Sequence, residues 1–251
     1  MNRIMTHIVA GYPSLKESKL LAQTMIESGV SYIEIQIPFS DPIADGKTIM
    51  DANKKALENG ITPDDAFELM KDLSGKAKAH GVKLLFMSYY NILFKYGLER
   101  FCKKAASIGC YGLIIPDIPI DEEPHEHYLA ICEKYNLHAI QVIAPITPEK
   151  RLKGIAKHAN GFVYCTATTG TTGARAQMSQ NLESYIGKVR KHIPDIPIAL
   201  GFGISSRSQV KQALAHVDIA VIGSKIINIY NTSKKQNPVE DVKTFILEVI
   251  Q

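Results

Sequence analysis

Short apolar runs alternate with longer amphipathic stretches from one end of the chain to the other. The runs fall at about 4–10, 32–37, 82–87, 111–116, 138–143, 161–165, 196–200 and 218–222, and they predict eight strands. The stretches between them carry helical spacing. In 14–28, Leu15, Leu20, Leu21, Met25 and Ile26 form one apolar stripe, with Ser14 placed to cap the first turn and Gly29 to end the helix. Thr62-Pro63 predicts another helix start, a capping residue followed by proline at the first helical position. A closing helix is expected over 237–250. Strand–helix alternation repeated eight times predicts an α/β fold, a parallel sheet closed into a (β/α)8 (TIM) barrel. The structural rival, an open doubly wound sheet, usually carries GxGxxG after its first strand. Here that strand runs into Gly11-Tyr12-Pro13 instead. No linker, low-complexity tract or composition shift interrupts the 251 residues, so the reading is a single barrel domain, 1–251.

Two predicted loops are longer than a barrel needs, one after strand 2 (Pro38 to about Lys47) and one after strand 6 (Thr166 to about Gln180). Loops at the C-terminal ends of barrel strands are where such folds keep their active sites. Strand 2 itself, Tyr32-Ile33-Glu34-Ile35-Gln36-Ile37, places the isoleucines on one face and Tyr32, Glu34 and Gln36 on the other. A barrel strand is covered on both sides, so isoleucines packed on helices would aim Glu34 into the barrel. A buried carboxylate needs a reason. One is acid–base chemistry, because an apolar surround raises a carboxyl group's pKa toward neutrality. The other is a structural pairing with a nearby Arg or Lys, and strand pattern alone leaves both open. The loop that follows, Pro38-Phe39-Ser40-Asp41-Pro42-Ile43-Ala44-Asp45-Gly46, adds two carboxylates in a turn-rich frame, and turn chemistry by itself explains aspartates beside Pro and Gly.

Strand 7 ends in Leu200-Gly201-Phe202-Gly203-Ile204-Ser205-Ser206 and strand 8 in Val221-Ile222-Gly223-Ser224. Glycines let backbone N–H groups approach an anion, and a following helix N-terminus adds a favourable dipole. Barrels often bind phosphate in these two loops, although such glycines also serve as plain turn residues.

The segment YIEIQIPFSDPIADG (32–46) resembles the signature of tryptophan synthase α subunits, whose usual form is close to LELGxPFSDPxADGP. Length, strand count and the further motifs resemble that family over nearly the whole chain. The resemblance implies a retro-aldol cleavage of indole-3-glycerol phosphate to indole and glyceraldehyde 3-phosphate. Glu34 and Asp45 match the family's catalytic carboxylates. Glu34 is then the proton donor to indole carbon 3, and Asp45 the partner of the indole N–H. Tyr164, Thr172 and Gly173, in 164–174, match lid and substrate positions; Tyr89 matches a tyrosine near the indole pocket. Phe202, Gly203, Gly223 and Ser224 fall on the phosphate turns. Asp117 matches a further aspartate, with a supporting role such as anchoring a neighbouring loop. The resemblance implies no metal and no cofactor in this subunit, with pyridoxal phosphate only in a β partner. It also implies an α2β2 heterotetramer that the segment from Asn91 to Gly97 would face. A stand-alone indole-releasing lyase, a different phosphosugar barrel such as an isomerase, and a weakly active subunit kept as an allosteric partner are the alternatives.

Some positions depart from that pattern. Gln36 stands where glycine is usual and is expected to narrow the pocket or hydrogen-bond Glu34. Lys47 replaces a proline, Thr168 an arginine of the lid, and the usual leading helix is expected to be mostly absent. Composition changes the picture little. The net charge of +4 comes without a basic run, so neither nucleic acid nor membrane is an expected partner. Lys16, Glu17, Lys19 and Glu27 break up any signal peptide. Cys102, Cys110, Cys132 and Cys165 form no CxxC pair and read as reduced thiols of a cytoplasmic protein, Cys165 packed near the lid. His125 and His127 flank Glu126 on a predicted helix, and a spacing of two puts them on different faces, as solvated surface rather than metal ligands.

Overall fold

Ile33, Ile35 and Ile37 are completely buried, yet the opposite face of the same strand is no more open: Tyr32, Glu34 and Gln36 are each at most 5% exposed. Only a strand covered on both sides has that pattern. In the computed structural model, which describes residues 3–166, 175–201, 203–234 and 237–250, eight parallel strands close into a barrel in chain order. They are β1 (Arg3–Val9), β2 (Tyr32–Gln36), β3 (Lys83–Met87), β4 (Gly112–Ile114), β5 (His138–Ile143), β6 (Val163–Thr166), β7 (Ile198–Gly201) and β8 (Ile219–Ile222). The helices that follow them are α1 (Leu15–Glu27), α2 (Lys47–Glu58), α3 (Pro63–Ala79), α4 (Tyr90–Tyr96), α5 (Leu98–Ser107), α6 (Glu123–Glu126), α7 (Tyr128–Lys134), α8 (Glu149–His158), α9 (Arg175–His192), α10 (Arg207–Leu214), α11 (Ser224–Thr232) and α12 (Pro238–Ile250).

The alternation along each strand sorts the core into two layers. Ile4, Ile8, Ile33, Ile35, Ile37, Leu84 and Phe86 pack with α1 and α3 residues such as Leu21, Met25, Phe67 and Met70 outside the sheet. Met5, Tyr32, Leu85, Ile114, Ile140, Phe162 and Ile219 fill the barrel interior. Tyr32 meets Phe162 edge-on at 5.4 Å between ring centroids, so the interior is packed. A one-residue slip of β2 would move Glu34 and Gln36 into the apolar layer under the helices, where a carboxylate has no partner. Polarity therefore fixes the register as firmly as burial does.

Local chemistry accounts for the helix ends. The Ser14 hydroxyl accepts the Glu17 N–H at 3.2 Å, and the chain leaves α1 through Gly29 at φ +87. Thr62 and Asp65 form a reciprocal capping box ahead of Pro63. Two expectations need correction. The segment after β6 is not loop as far as Gln180, because α9 begins at Arg175. His125 and His127 do not share one helix. Helix α6 stops at Glu126, His127 turns the chain at φ +53, and the Glu123 carboxylate caps the new helix by accepting the Leu129 and Ala130 N–H groups at 2.7 and 3.0 Å. Both histidines are exposed, as surface residues are expected to be. All four cysteines are free and buried, and burial pushes the Cys165 thiol up to about 12. Among the described residues no helix is long and apolar enough to cross a membrane.

Candidate active site

Glu34 sits at the centre of β2, in register with His7 of β1 on one side and Leu85 of β3 on the other. Because side-chain direction alternates identically in the two parallel strands, His7 points into the barrel beside it. Both are 4% exposed, and His7 Nδ1 lies 3.5 Å from Glu34 Oε2. The second ring nitrogen of His7, Nε2, is buried without a hydrogen bond. Burial alone would push the imidazolium pKa down. The adjacent Glu34 and the nearby Asp45 outweigh it and hold His7 above its ordinary 6.5.

Asp45 reaches the same region from the loop between β2 and α2. That loop is tied at its start by the buried Asn53 of α2, whose side chain accepts the Phe39 N–H at 3.0 Å and donates to the Ile49 carbonyl at 2.9 Å. Further along, Tyr89 at the end of β3 accepts the Ala44 N–H at 3.0 Å and donates its hydroxyl to Asp45 Oδ2 at 3.1 Å. The Tyr89 ring stacks on Phe39 at 5.0 Å. Gln36 supplies the second donor, its Nε2 lying 2.6 Å from Asp45 Oδ2. Gln36 was expected to narrow the pocket or bond Glu34; its amide is turned to the other carboxylate. Burial raises the Asp45 pKa, while His7 and the Gln36 and Tyr89 hydrogen bonds pull it back and Glu34 adds to the rise; the balance stays above 3.8. Asp117 holds the neighbouring turn. Its carboxylate accepts the Tyr90 N–H at 2.8 and 3.1 Å and so caps α4.

Across the barrel, Tyr164 on β6 is half-buried, and its hydroxyl is held protonated by burial and by the fields of Glu34 and Asp45. Gly201 of β7 makes room for it, since a Cβ there would come within 2.7 Å of the Tyr164 hydroxyl oxygen. At the end of β8, Gly223 immediately precedes α11, and Ser224 is its first residue. Its N-cap, Gly223, supplies no side-chain hydrogen bond to the first turn. Gly203 adopts φ +62 before α10, whose own start is capped by Ser206. Of the two glycine turns expected to hold phosphate, the one after β8 leads into the helix without a side-chain cap. Thr172, Gly173 and Phe202, expected at the site, lie outside the described residues, as does Thr168. Among the described residues no group of three or more His, Cys, Asp or Glu is placed to hold a metal.

The structure thus gathers Glu34, Asp45, Tyr89 and Tyr164 at one end of the barrel together with Gln36, and adds His7, which the motif did not flag. The sequence profile of the family described as tryptophan synthase alpha chain matches residues 1–249. The chain belongs to that family. It is 43% identical over 226 residues to the tryptophan synthase alpha chain of Syntrophotalea carbinolica, covering 90% of this chain and 87% of that one. To the alpha chain of Methanocaldococcus jannaschii it is 41% identical over 229 residues, covering 91% and 79%. A chain of the Mycobacterium tuberculosis tryptophan synthase structure superposes with a TM-score of 0.87 at 30% identity, covering 99% of this chain and 91% of that one. As a tryptophan synthase alpha chain the protein is a lyase of amino-acid biosynthesis.

Proposed function

We propose that the chain cleaves indole-3-glycerol phosphate to indole and glyceraldehyde 3-phosphate, with Glu34 and Asp45 as its working carboxylates. The observation that carries this reading is the placement of two buried or half-buried carboxylates with different surroundings at the open end of one barrel. Glu34 faces an imidazole, while Asp45 is held by two donors and leaves its remaining lone pairs for a ligand N–H. The carbon–carbon bond of the substrate cannot break while its electrons have nowhere to go. Protonation of indole carbon 3 by Glu34 creates an indolenine-like cation whose charge rests on the ring nitrogen. Asp45, accepting that N–H, stabilises the charge as it develops. The bond electrons then return to the ring, the side-chain hydroxyl becomes the aldehyde, and Glu34 takes up the hydroxyl proton. Atoms and protons balance with no external reductant or base.

The phosphate belongs at Gly223 and Ser224, where the N-terminus of α11 supplies N–H groups and a positive dipole end, with Gly203 in the neighbouring turn. Tyr89 and Tyr164 border the indole and glycerol portions. Indole passes to a β subunit, in an α2β2 assembly whose partner carries the pyridoxal phosphate. Support for such a partner comes from large apolar side chains left open on segments leaving β2, β3 and β5: Ile43 is 84% exposed, Phe94 62% and Ile146 85%. Incubation with indole-3-glycerol phosphate tests the reading. Equimolar indole and glyceraldehyde 3-phosphate are expected, faster when a β subunit is present. Turnover that is insensitive to the β subunit would favour a stand-alone lyase, and isomerised phosphosugar without indole would overturn the assignment.

A further inference from the structure

His7 is the one ionisable side chain in direct reach of Glu34 among the described hydrogen bonds and ion pairs, and the reaction as written gives it no task. Its position is determined on three sides. Register places it opposite Glu34. Its Cβ lies 3.5 Å from the point where a side chain on Gly223 would begin, and Ile49 of α2 reaches the same point at 3.6 Å. It therefore stands between the carboxylate of β2 and the glycine turn after β8. Neither its Nε2 nor Glu34 Oε2 makes a hydrogen bond, although both are buried, and Nδ1 and Oε2 are 3.5 Å apart. Such a gap becomes a hydrogen bond through a movement of roughly half an ångström.

We infer that His7 is a positioning residue for the proposed cleavage, sharing one proton with Glu34 across the Nδ1···Oε2 gap so that the pair, rather than the carboxyl alone, is the acid. The inference rests on the reading of Glu34 as proton donor. In the resting site the pair carries one proton beyond the neutral imidazole's own Nε2–H. That proton moves from Nδ1 to Oε2 and on to indole carbon 3; after the carbon–carbon bond breaks, the hydroxyl proton returns through Glu34 to Nδ1. The cycle leaves both groups as they began. The charged groups bearing on His7 are Glu34 from β2 and Asp45 from the loop, while β8 and α2 bring Gly223 and Ile49. Both nearby charges are negative, and both favour the protonated ring.

The test combines kinetics with a direct titration. In His7→Gln, kcat is expected to fall about ten-fold or more at pH 8 with KM within about two-fold, as for loss of part of a general acid's contribution. The alkaline limb of its kcat profile should move to lower pH. Added imidazole should restore turnover to His7→Ala. In the otherwise unaltered chain, the His7 ring nitrogens followed by 15N NMR should titrate above 6.5, and Glu34→Gln should bring that midpoint down. A His7→Gln profile superimposable on the parent's, or an uncoupled His7 titration, overturns the inference. Glu34→Gln separates the two levels of the argument. If that variant keeps full turnover, the donor reading itself fails; if it is inactive while His7 variants behave like the parent, only the shared proton is wrong.

Discussion

Gln36→Leu separates what the site needs for folding from what it needs for chemistry. Gln36 is wholly buried; its amide nitrogen donates to Asp45 at 2.6 Å, and its carbonyl oxygen accepts nothing. Leucine keeps most of the volume and removes both polar groups. The donated bond to a charged acceptor contributes about 1.5–3 kcal/mol, and a buried carbonyl left without a donor costs about 1–3 kcal/mol. In folding the two nearly cancel. A residual of about 1 kcal/mol would move Tm by about 2–4 °C in a chain of this size. In catalysis they do not cancel, because the idle carbonyl is equally idle in ground and transition states, whereas the lost donor fixes Asp45 where charge develops. The same 1.5–3 kcal/mol at the transition state is about a ten- to hundred-fold loss in kcat/KM. Asp45 also loses one of the hydrogen bonds that hold its pKa down, so the acid limb of the pH profile should move to higher pH. Coupled detection of glyceraldehyde 3-phosphate across pH, alongside thermal melts, measures both. A kcat/KM within two-fold of the parent, or a melt lowered by more than about 8 °C, would refute the reasoning.

Three other outcomes are expected. Thr62→Ala removes the capping box of α3, far from the site, and should cost about 1 kcal/mol in denaturant melts while kcat stays unchanged. Asp45 binds its proton more tightly folded than unfolded, so its contribution to stability is full below 3.8 and is lost as pH rises through the folded value. Asp45→Asn should therefore flatten the fall in stability over that window while abolishing turnover, and melts of both proteins from pH 3 upward check the sign. Gly201→Ala places a methyl group 2.7 Å from the Tyr164 hydroxyl oxygen and forces the ring aside; KM should rise while Tm changes little, and an unchanged KM would mean that Tyr164 does not border the substrate.

Strands and caps were legible because short-range chemistry decides them. The isoleucine alternation of β2, Ser14, and Thr62-Pro63 each state their structure within a few residues. The break at His127 was hidden because Glu123 stabilises it through N–H groups six and seven residues ahead, leaving an unbroken helical pattern in the sequence. Glu34 could be aimed inward from β2 alone. Its neighbour could not, since pairing His7 with Glu34 requires the register between strands 27 residues apart in the chain, which barrel closure sets. A lone histidine in an apolar strand otherwise reads as core. Its parity with the inward-facing Met5 was the available signal. The turn of Gln36 toward Asp45 depended on where a nine-residue excursion brings the aspartate back. Pattern locates such a loop without giving its path.

The central claim is that Glu34 supplies the proton that allows the carbon–carbon bond to break. Glyceraldehyde 3-phosphate release from indole-3-glycerol phosphate should be measured for the parent chain and Glu34→Gln, each with and without a β subunit. The account predicts turnover by the parent, raised by the β subunit, and none by Glu34→Gln in either condition despite a native melt. Turnover by Glu34→Gln comparable to the parent's would contradict it.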